Sequence, residues 1–426
     1  MRQRFLVPCG RREAELLVPA GVPVELVRSH ELPPVPCVAE AIRDALAHPI
    51  GSPRLSELVR PGQKVAIIVT DITRKLPEEE ILPALLEELG RAGIPDRDVV
   101  VVVATGTHRP NTGEELVEKF GRAMVERFRF VNHRAFDQAT LKHLGRSQSG
   151  IPLVTNREVA EADVRISTGV IETHLFAGYS GGVKSVAVGV AGAETIAATH
   201  NFGMLKETRL GVTEGNRFRD FLTEATDAVG LDFIVNVVQT GHKEVVQVVA
   251  GHPVEAWKVG VGTARAMYEV PMEAPADIVV AGALYPKSRD LYQASRAVNT
   301  SVFGPRPVVK QGGVLLVPAP CEDGFGHPGY VEWMARAGSP EEIIRQAEEE
   351  GFAPGDQKAL ILAWVLRRAR LVITDCAIPA ADLRRIHLEA APTLQEAFDR
   401  ELAACPGARV AVIPDALLTL PVLSHS

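Results

Sequence analysis

Short, nearly continuous apolar runs alternate along this chain with stretches whose apolar residues fall three and four apart. Residues 64–71 (KVAIIVTD) and 98–104 (DVVVVVA) have the length of buried strands, and each ends in a polar turn. Between them, residues 77–93 place Ile81, Leu82, Leu85, Leu86 and Leu89 on one helical face, with Gly90 and Gly93 near the end. Pro83 is expected to kink that helix or delay its start. Thr112-Gly-Glu-Glu115 is a capping signal for the next helix, and residues 129–133 and 163–169 (DVRISTG) read as two more strands. The opening segment reads as a strand, a turn at Gly10 and a second strand, then a helix with Val38, Ile42, Ala45 and Leu46 on one face. Strand-like runs return at 233–239 and 245–250, then at 277–281, 313–318, 370–374 and 409–414.

Strands alternating with helices imply an α/β fold with mainly parallel sheets. At 426 residues two domains are expected rather than one. The run 271–277 (PMEAPAD) is the natural linker, which gives an N-terminal α/β domain over 1–270 and a C-terminal one over 271–426, facing an interdomain cleft. In open α/β sheets ligands bind at the carboxyl ends of strands. The polar residues cluster there: Asp71, Thr73 and Arg74; His108 and Arg109; His174; Lys287, Arg289 and Asp290; Glu322 and Asp323.

Composition narrows the classes. A formal net charge of -7 argues against neutralisation of a phosphate backbone, while leaving room for a small anion in a locally basic pocket. No apolar run approaches the ~18 residues of a membrane span, and the N-terminus lacks the apolar core of a signal peptide. The five cysteines are scattered and form no CxxC, so neither a disulfide framework nor a thiolate metal site is indicated. The cytoplasm is the expected location.

The stretch 169–201, GVIETHLFAGYSGGVKSVAVGVAGAETIAATHN, is the expected reactive centre. It carries His174, Lys184 and His200 among small residues, with Gly178, Gly181, Gly182 and Gly189 letting a ligand approach the backbone. On one uninterrupted helix Lys184 and His200 would lie about 160° apart, so two pieces joined at a glycine-bearing bend are expected. The bland alternative makes them a surface charge and a helix-terminal histidine. His108 and His174 each follow a strand in a glycine-bearing loop and suit general acid/base work. Asp71 and Arg74 either shape a turn as an ion pair or present a guanidinium to a carboxylate. Gln293 and Arg296 are one helical turn apart and face an anion or solvent. His30, His48 and His425 read as surface residues, and His133, His143 and His327 have no partner identifiable from sequence.

Two formal motifs lack their context. Gly324-Phe-Gly-His-Pro-Gly329 fits GxGxxG but begins well past the preceding strand. Gly178-Tyr-Ser-Gly-Gly182 fits GxSxG, yet no buried strand leads sharply into Ser180. The residues alone therefore indicate a two-domain α/β enzyme acting on a small anion with a histidine pair, a lysine and an optional metal.

Taken together, Asp71-Ile-Thr-Arg74, Ala104-Thr-Gly-Thr-His-Arg109, Glu172-Thr-His174, Ala177-Gly-Tyr-Ser-Gly-Gly-Val-Lys184, Thr199-His200 and Leu291-Tyr-Gln293 resemble the nickel-dependent lactate racemase family over nearly the whole chain. The resemblance implies a nickel pincer nucleotide, tethered to Lys184 through a thioamide, with His200 as the protein ligand to nickel and Asp71 in contact with the cofactor. It implies His108 and His174 as the acid/base pair and Arg74, Tyr292, Gln293 and Arg296 as substrate-binding residues. A small anionic 2-hydroxy acid would be racemised by reversible hydride transfer, which avoids abstracting a weakly acidic Cα proton, and cofactor-synthesis enzymes would load the protein. Lys75, Val183, Ala187-Val188, Thr199 and Arg296 depart from the family pattern. Arg296 stands in place of lysine, an exchange that is not conservative at an anion site, so lactate, a bulkier hydroxy acid and one with a second carboxylate all remain open. The competing readings are a C2 epimerase of a sugar acid, a pyridine-nucleotide dehydrogenase, a serine hydrolase built on Ser180 and a non-catalytic carrier of the nickel nucleotide.

Overall fold

In a computed structural model, which describes residues 2–351 and 355–424, the valine-rich runs form strands buried on both faces. Val65–Thr70 and Val99–Ala104 are buried along their lengths apart from the last residue. Alternate side chains serve opposite faces. Val65, Ile67, Val69, Val101 and Val103 join one core with the helix residues Ile81, Leu82, Leu85 and Leu89. Ala66, Ile68, Val100 and Val102 pack on the other side with Val186 and Val190. Strands covered on both sides read as continuous apolar runs, which is the sequence signal noted above.

The chain divides into two compact units, one of Glu31–His200 and Thr213–Ala266, the other of Met1–His30, Asn201–Val212 and Met267–Ser426. The first contains a six-stranded sheet in the order Val245–Gly251, Phe233–Gln239, Val164–Val170, Val65–Thr70, Val99–Ala104, Arg129–Asn132. Its pairings are parallel apart from the edge hairpin of Phe233–Gln239 with Val245–Gly251. From Val65–Thr70 the chain first builds to one side and then crosses back to the other, so strand order reverses at this strand. The crevice beyond its carboxyl end is where such sheets hold ligands.

The second unit has a six-stranded parallel sheet in the order Glu389–Ala391, Ala369–Thr374, Val309–Pro318, Ala276–Ala281, Val410–Ile413, Val24–Leu26. Its last strand comes from the N-terminus, and the hairpin Arg2–Gly10 with Arg12–Pro19 contributes Val7, Cys9, Leu16 and Val18 to the same core as Ile278, Leu316 and Val412. The expected domain over 1–270 is not one packed unit: its first thirty residues and Asn201–Val212 group with the C-terminal part. The expected linker is corrected too, because Glu269–Met272 is a strand paired in parallel with Leu420–Leu423, and Ala276–Ala281 follows almost at once. Periodicity identifies a strand but not the sheet it joins.

Helix Glu78–Arg91 runs through Pro83 and starts directly after Pro77, so the proline neither delays nor ends it. Thr112 and Glu115 form the expected capping box of helix Gly113–Phe120. Among the described residues, no helix is long and apolar enough to cross a membrane.

Candidate active site

Asp71 leaves the carboxyl end of Val65–Thr70 and is only 4% exposed. Its Oδ2 accepts a hydrogen bond from His108 Nδ1 at 2.7 Å, and its Oδ1 accepts from Thr73 Oγ1 at 2.6 Å and Thr73 N at 3.2 Å. Burial pushes this carboxyl up, but the bonds from His108 and Thr73 outweigh it and leave it below the usual range. The Asp71–Arg74 ion pair considered from sequence gives way to an Asp71–His108 pair. With Nδ1–H held by the carboxylate, His108 has Nε2 as its remaining nitrogen. Its neighbour Arg109 is taken by Glu115 at 2.5 and 2.8 Å and so braces the helix start instead of the crevice.

His174 reaches the same region differently. The short strand Thr173–His174 pairs antiparallel with Gly178–Tyr179, and the turn between them aims two backbone N–H groups, of Phe176 at 3.3 Å and Ala177 at 3.2 Å, at His174 Nδ1. A nitrogen that accepts these bonds carries no proton, so the neutral ring keeps its hydrogen on Nε2. The two histidines are thus both anchored through Nδ1.

Lys184 and His200 do lie on two separate pieces, a π turn over Ser185–Gly189 and a helix over Ala193–Thr199. The Lys184 ammonium is half-buried; burial first, then the charge of Arg74, lower it to about 8, against opposing pulls from Glu172 and Asp71. His200 closes the helix, and its Nδ1 lies 3.2 Å from the Ile196 carbonyl and 3.1 Å from Thr199 Oγ1. Donation to that carbonyl leaves the Nε2 lone pair for a ligand. The ring sits against Phe176 at 4.9 Å and edge-on to Phe218 at 5.2 Å. Burial, followed by the nearby Lys184 charge, lowers His200 to about 4, so it is neutral at physiological pH as a metal ligand must be.

The bareness of this stretch has a cause the sequence reading assigned elsewhere. A Cβ on Gly182 would meet the Trp257 ring at 2.9 Å, one on Gly189 would meet Ala104 Cβ at 2.9 Å, and one on Gly181 would meet Asn236 Oδ1 at 2.7 Å. These glycines let the stretch pack tightly on its own unit, rather than clearing space for a ligand. Ser180 is likewise internal: its hydroxyl donates to the Val170 carbonyl at 2.7 Å and accepts from Glu172 N at 3.0 Å. A hydroxyl so engaged, on a buried residue, is no exposed nucleophile.

His133 acquires a role. It is fully buried, donates from Nε2 to the Ala191 carbonyl at 2.9 Å and accepts from Asn156 at Nδ1. Its own carbonyl accepts from Thr105 Oγ1 at 2.8 Å, and Gly106 N donates to the Gly189 carbonyl at 2.9 Å. These bonds lock the His108 loop to the end of the Lys184 π turn. Burial lowers His133 to about 4. A histidine with a depressed folded value holds fewer protons than the unfolded chain between pH 4 and 6.5, so its stabilisation is complete above about pH 6.5 and fades as pH falls towards 4. That 1%-exposed ring alone corresponds to roughly 3 kcal/mol at most. Urea unfolding at pH 7 and pH 5 is expected to show this loss, with a shallower pH dependence in His133→Gln; identical slopes would remove His133 from the account.

Two supports went unread in the sequence. Lys119 donates from Nζ to the Arg74 carbonyl at 2.6 Å and fixes the loop that carries the guanidinium. Glu78, in the first turn of its helix, is completely buried and accepts at Oε1 from Thr70 N, Thr70 Oγ1 and Thr168 Oγ1. Burial raises its carboxyl. Three consecutive glutamates at a helix start give no hint that one of them points into the core. Of the remaining histidines, His48 is exposed and bonded to Asp44 at 3.0 Å, and His425 lies outside the described residues.

In the other unit, Tyr292 and Gln293 stand on the short helix Leu291–Ala294 and Arg296 on the turn Ser295–Val298. Asp290 caps the helix by accepting from Gln293 N at 2.8 Å, and Arg296 Nη1 donates to Gln293 Oε1 at 3.2 Å, as a shared face requires. The formal GxGxxG braces this element: the Gly324 and Phe325 carbonyls accept from Leu291 N and Tyr292 N. A Cβ on Gly326 would strike Asp290 Oδ1 at 2.5 Å. It is not a nucleotide loop.

Among the described residues no three His, Cys, Asp or Glu side chains converge on a metal position. A metal here would have to arrive with most of its ligands, taking one from His200, and an amine of lowered pKa stands ready at Lys184. Those two donors fit a metal-bearing organic cofactor attached through nitrogen.

Comparison with known proteins gives the family. Residues 9–212 match the lactate racemase N-terminal domain and residues 272–420 the lactate racemase C-terminal domain. Lactate racemase from Lactiplantibacillus plantarum is 34% identical over 89% of both chains, and lactate racemase from Thermoanaerobacterium thermosaccharolyticum is 32% identical over 79% of both. The structure of the lactate racemase apoprotein from the latter organism superposes with a TM-score of 0.91 at 28% identity, covering 99% of this chain and 100% of that one. A Thermotoga maritima structure shares the fold at 18% identity and a TM-score of 0.68, over 93% of this chain and 100% of that one. With both domains matched and more than a third of one relative's aligned residues identical, the chain belongs to the lactate racemase family and is an isomerase, a racemase.

Proposed function

We propose that this chain racemises a small 2-hydroxy acid with a nickel pincer nucleotide attached at Lys184, His108 and His174 exchanging the hydroxyl proton. The observation that supports this reading is that both rings are anchored through Nδ1, by Asp71 on one and by two backbone N–H groups on the other, which leaves Nε2 of each for the substrate. When bound, the cofactor supplies reversible hydride acceptance from the carbinol carbon. Lys184 would hold it by its amine, His200 would give one nitrogen to nickel, and Asp71, buried nearby, would serve the cofactor as well as His108.

The protein's own part is proton handling and orientation. His108 takes the hydroxyl proton at Nε2 from one enantiomer, and the resulting imidazolium is stabilised by the Asp71 carboxylate. A planar 2-oxo acid would follow, and when its other face is reduced His174, carrying a second proton at Nδ1 in place of the two backbone bonds, would return its Nε2 proton to oxygen and be left neutral. From the opposite enantiomer the charged and neutral rings exchange: His174 takes the hydroxyl proton at Nε2 and the His108 imidazolium gives one back. Arg74, Tyr292, Gln293 and Arg296 are assigned to the substrate, whose carboxylate suits a guanidinium fork. Cofactor-synthesis enzymes are the partners needed for loading. The closed hydroxyl of Ser180 counts against a hydrolase, and the GxGxxG that only braces a helix counts against a pyridine-nucleotide dehydrogenase.

A chiral assay over a panel of 2-hydroxy acids and sugar acids, using protein produced beside the cofactor-making enzymes, tests the reading. Interconversion of the two hands of at least one acid is expected. Net formation of 2-oxo acid with added NAD, and no racemisation, would replace it with the dehydrogenase.

A further inference from the structure

Lys358, the second residue of helix Gln357–Arg368, is 2% exposed, and its Nζ has no hydrogen-bond partner among the described residues. No carboxylate of the described residues lies within ion-pair distance of it. It sits 5.5 Å from the ring centroid of Tyr292, and the nearby charges acting on it are those of Arg296 and Asp290. Asp290 is a poor counter-ion, since it caps the helix with Oδ1 and burial raises its carboxyl. Next to the side chains assigned to the substrate there is thus a buried, uncompensated amine. Burial, with Arg296 adding to it, lowers that amine to about 7. An isolated ammonium is among the costliest groups to bury, and a methionine of similar length would fill the volume without that penalty. A lysine kept there is explained if an anion arrives with the ligand.

We propose that Lys358 receives a second anionic group of the substrate, so that the acid this chain racemises is a 2-hydroxydicarboxylic acid. This rests on the reading that Tyr292, Gln293 and Arg296 bind the substrate. Lactate offers one carboxylate and a methyl group that leaves the amine uncompensated. A 2-hydroxydicarboxylate supplies the missing charge. Arg296 in place of the family's lysine then belongs to the same change, a more strongly cationic pocket around Tyr292.

The test uses nickel-loaded protein with lactate, malate and 2-hydroxyglutarate as probes. Wild type is expected to favour one dicarboxylate over lactate in kcat/KM. Lys358→Met is expected to lower that ratio roughly a hundredfold, chiefly through KM, with partial recovery in Lys358→Arg. Loss of both substrates in proportion, or an unchanged ratio, overturns the proposal, because a folding defect or a shared carboxylate site moves both alike. If wild type racemises none of the three, the racemase reading fails on these acids. Calorimetric titration of the same protein with malate and lactate then decides Lys358 alone: tighter malate binding that Lys358→Met removes supports it, and equal or absent binding of the two overturns it.

Discussion

Lys184→Ala is expected to abolish both the mass increment and the nickel that wild type acquires beside the cofactor-making enzymes, and racemisation with them. The reason lies in the amine, not only in its position. With a value of about 8, roughly a tenth of Lys184 is the free base at pH 7, against about one part in three thousand for an ordinary lysine. Only the free base forms a bond to carbon. Burial and the Arg74 charge produce this lowering together, so Arg74→Ala is expected to raise the midpoint. Trinitrobenzenesulfonate labelling of unloaded protein, followed by peptide mapping, measures it directly: Lys184 should label ahead of the surface lysines, with a midpoint near pH 8. Lys184→Arg should stay folded and unloaded, since a guanidinium keeps the charge and loses the nucleophile. Retention of the mass increment in Lys184→Ala would move the tether elsewhere.

The second large effect concerns the histidine pair. His108→Ala and His174→Ala are each expected to lower racemisation by about a thousandfold, within the range of a lost general acid or base. Racemisation has an equilibrium constant of one, so kcat/KM for the two enantiomers must stay equal in every variant that still turns over. Asymmetry between the histidines therefore appears only in kcat and KM taken separately, or in a single turnover. In a rapid-quench experiment each variant should convert one enantiomer to 2-oxo acid and leave the other, the two variants choosing opposite hands. Asp71→Asn should weaken His108 and spare His174, because only the first ring leans on that carboxylate. If both variants consume the same hand, the assignment of one histidine to each face is wrong.

Much of the site could be read from residue type and order. Strands ending at Asp71, before His108 and before His174, together with a lysine and a histidine split by glycines, were enough to point to a small anion and a histidine pair. The grounds for the glycines were not visible, because closeness to Trp257, Ala104 and Asn236 depends on residues scattered over 150 positions of chain. His133 looked like an orphan for the same reason: its partners are backbone and side-chain atoms of residues 105, 156 and 191.

The amino-acid sequence by itself determined the α/β class, the strand and helix positions, the capping box at Thr112 and the set of chemistry-bearing residues. Each of these depends on neighbours within a few positions, where periodicity and side-chain type carry the information. Only the tertiary structure decided that Val24–Leu26 closes the sheet of the C-terminal unit and that Asp71 serves His108 rather than Arg74. It also decided which nitrogen of each histidine is occupied, and that Lys358 is buried without a hydrogen-bond partner among the described residues. Sheet partnership, tautomer and burial are set by atoms distant along the chain, and no local pattern records them.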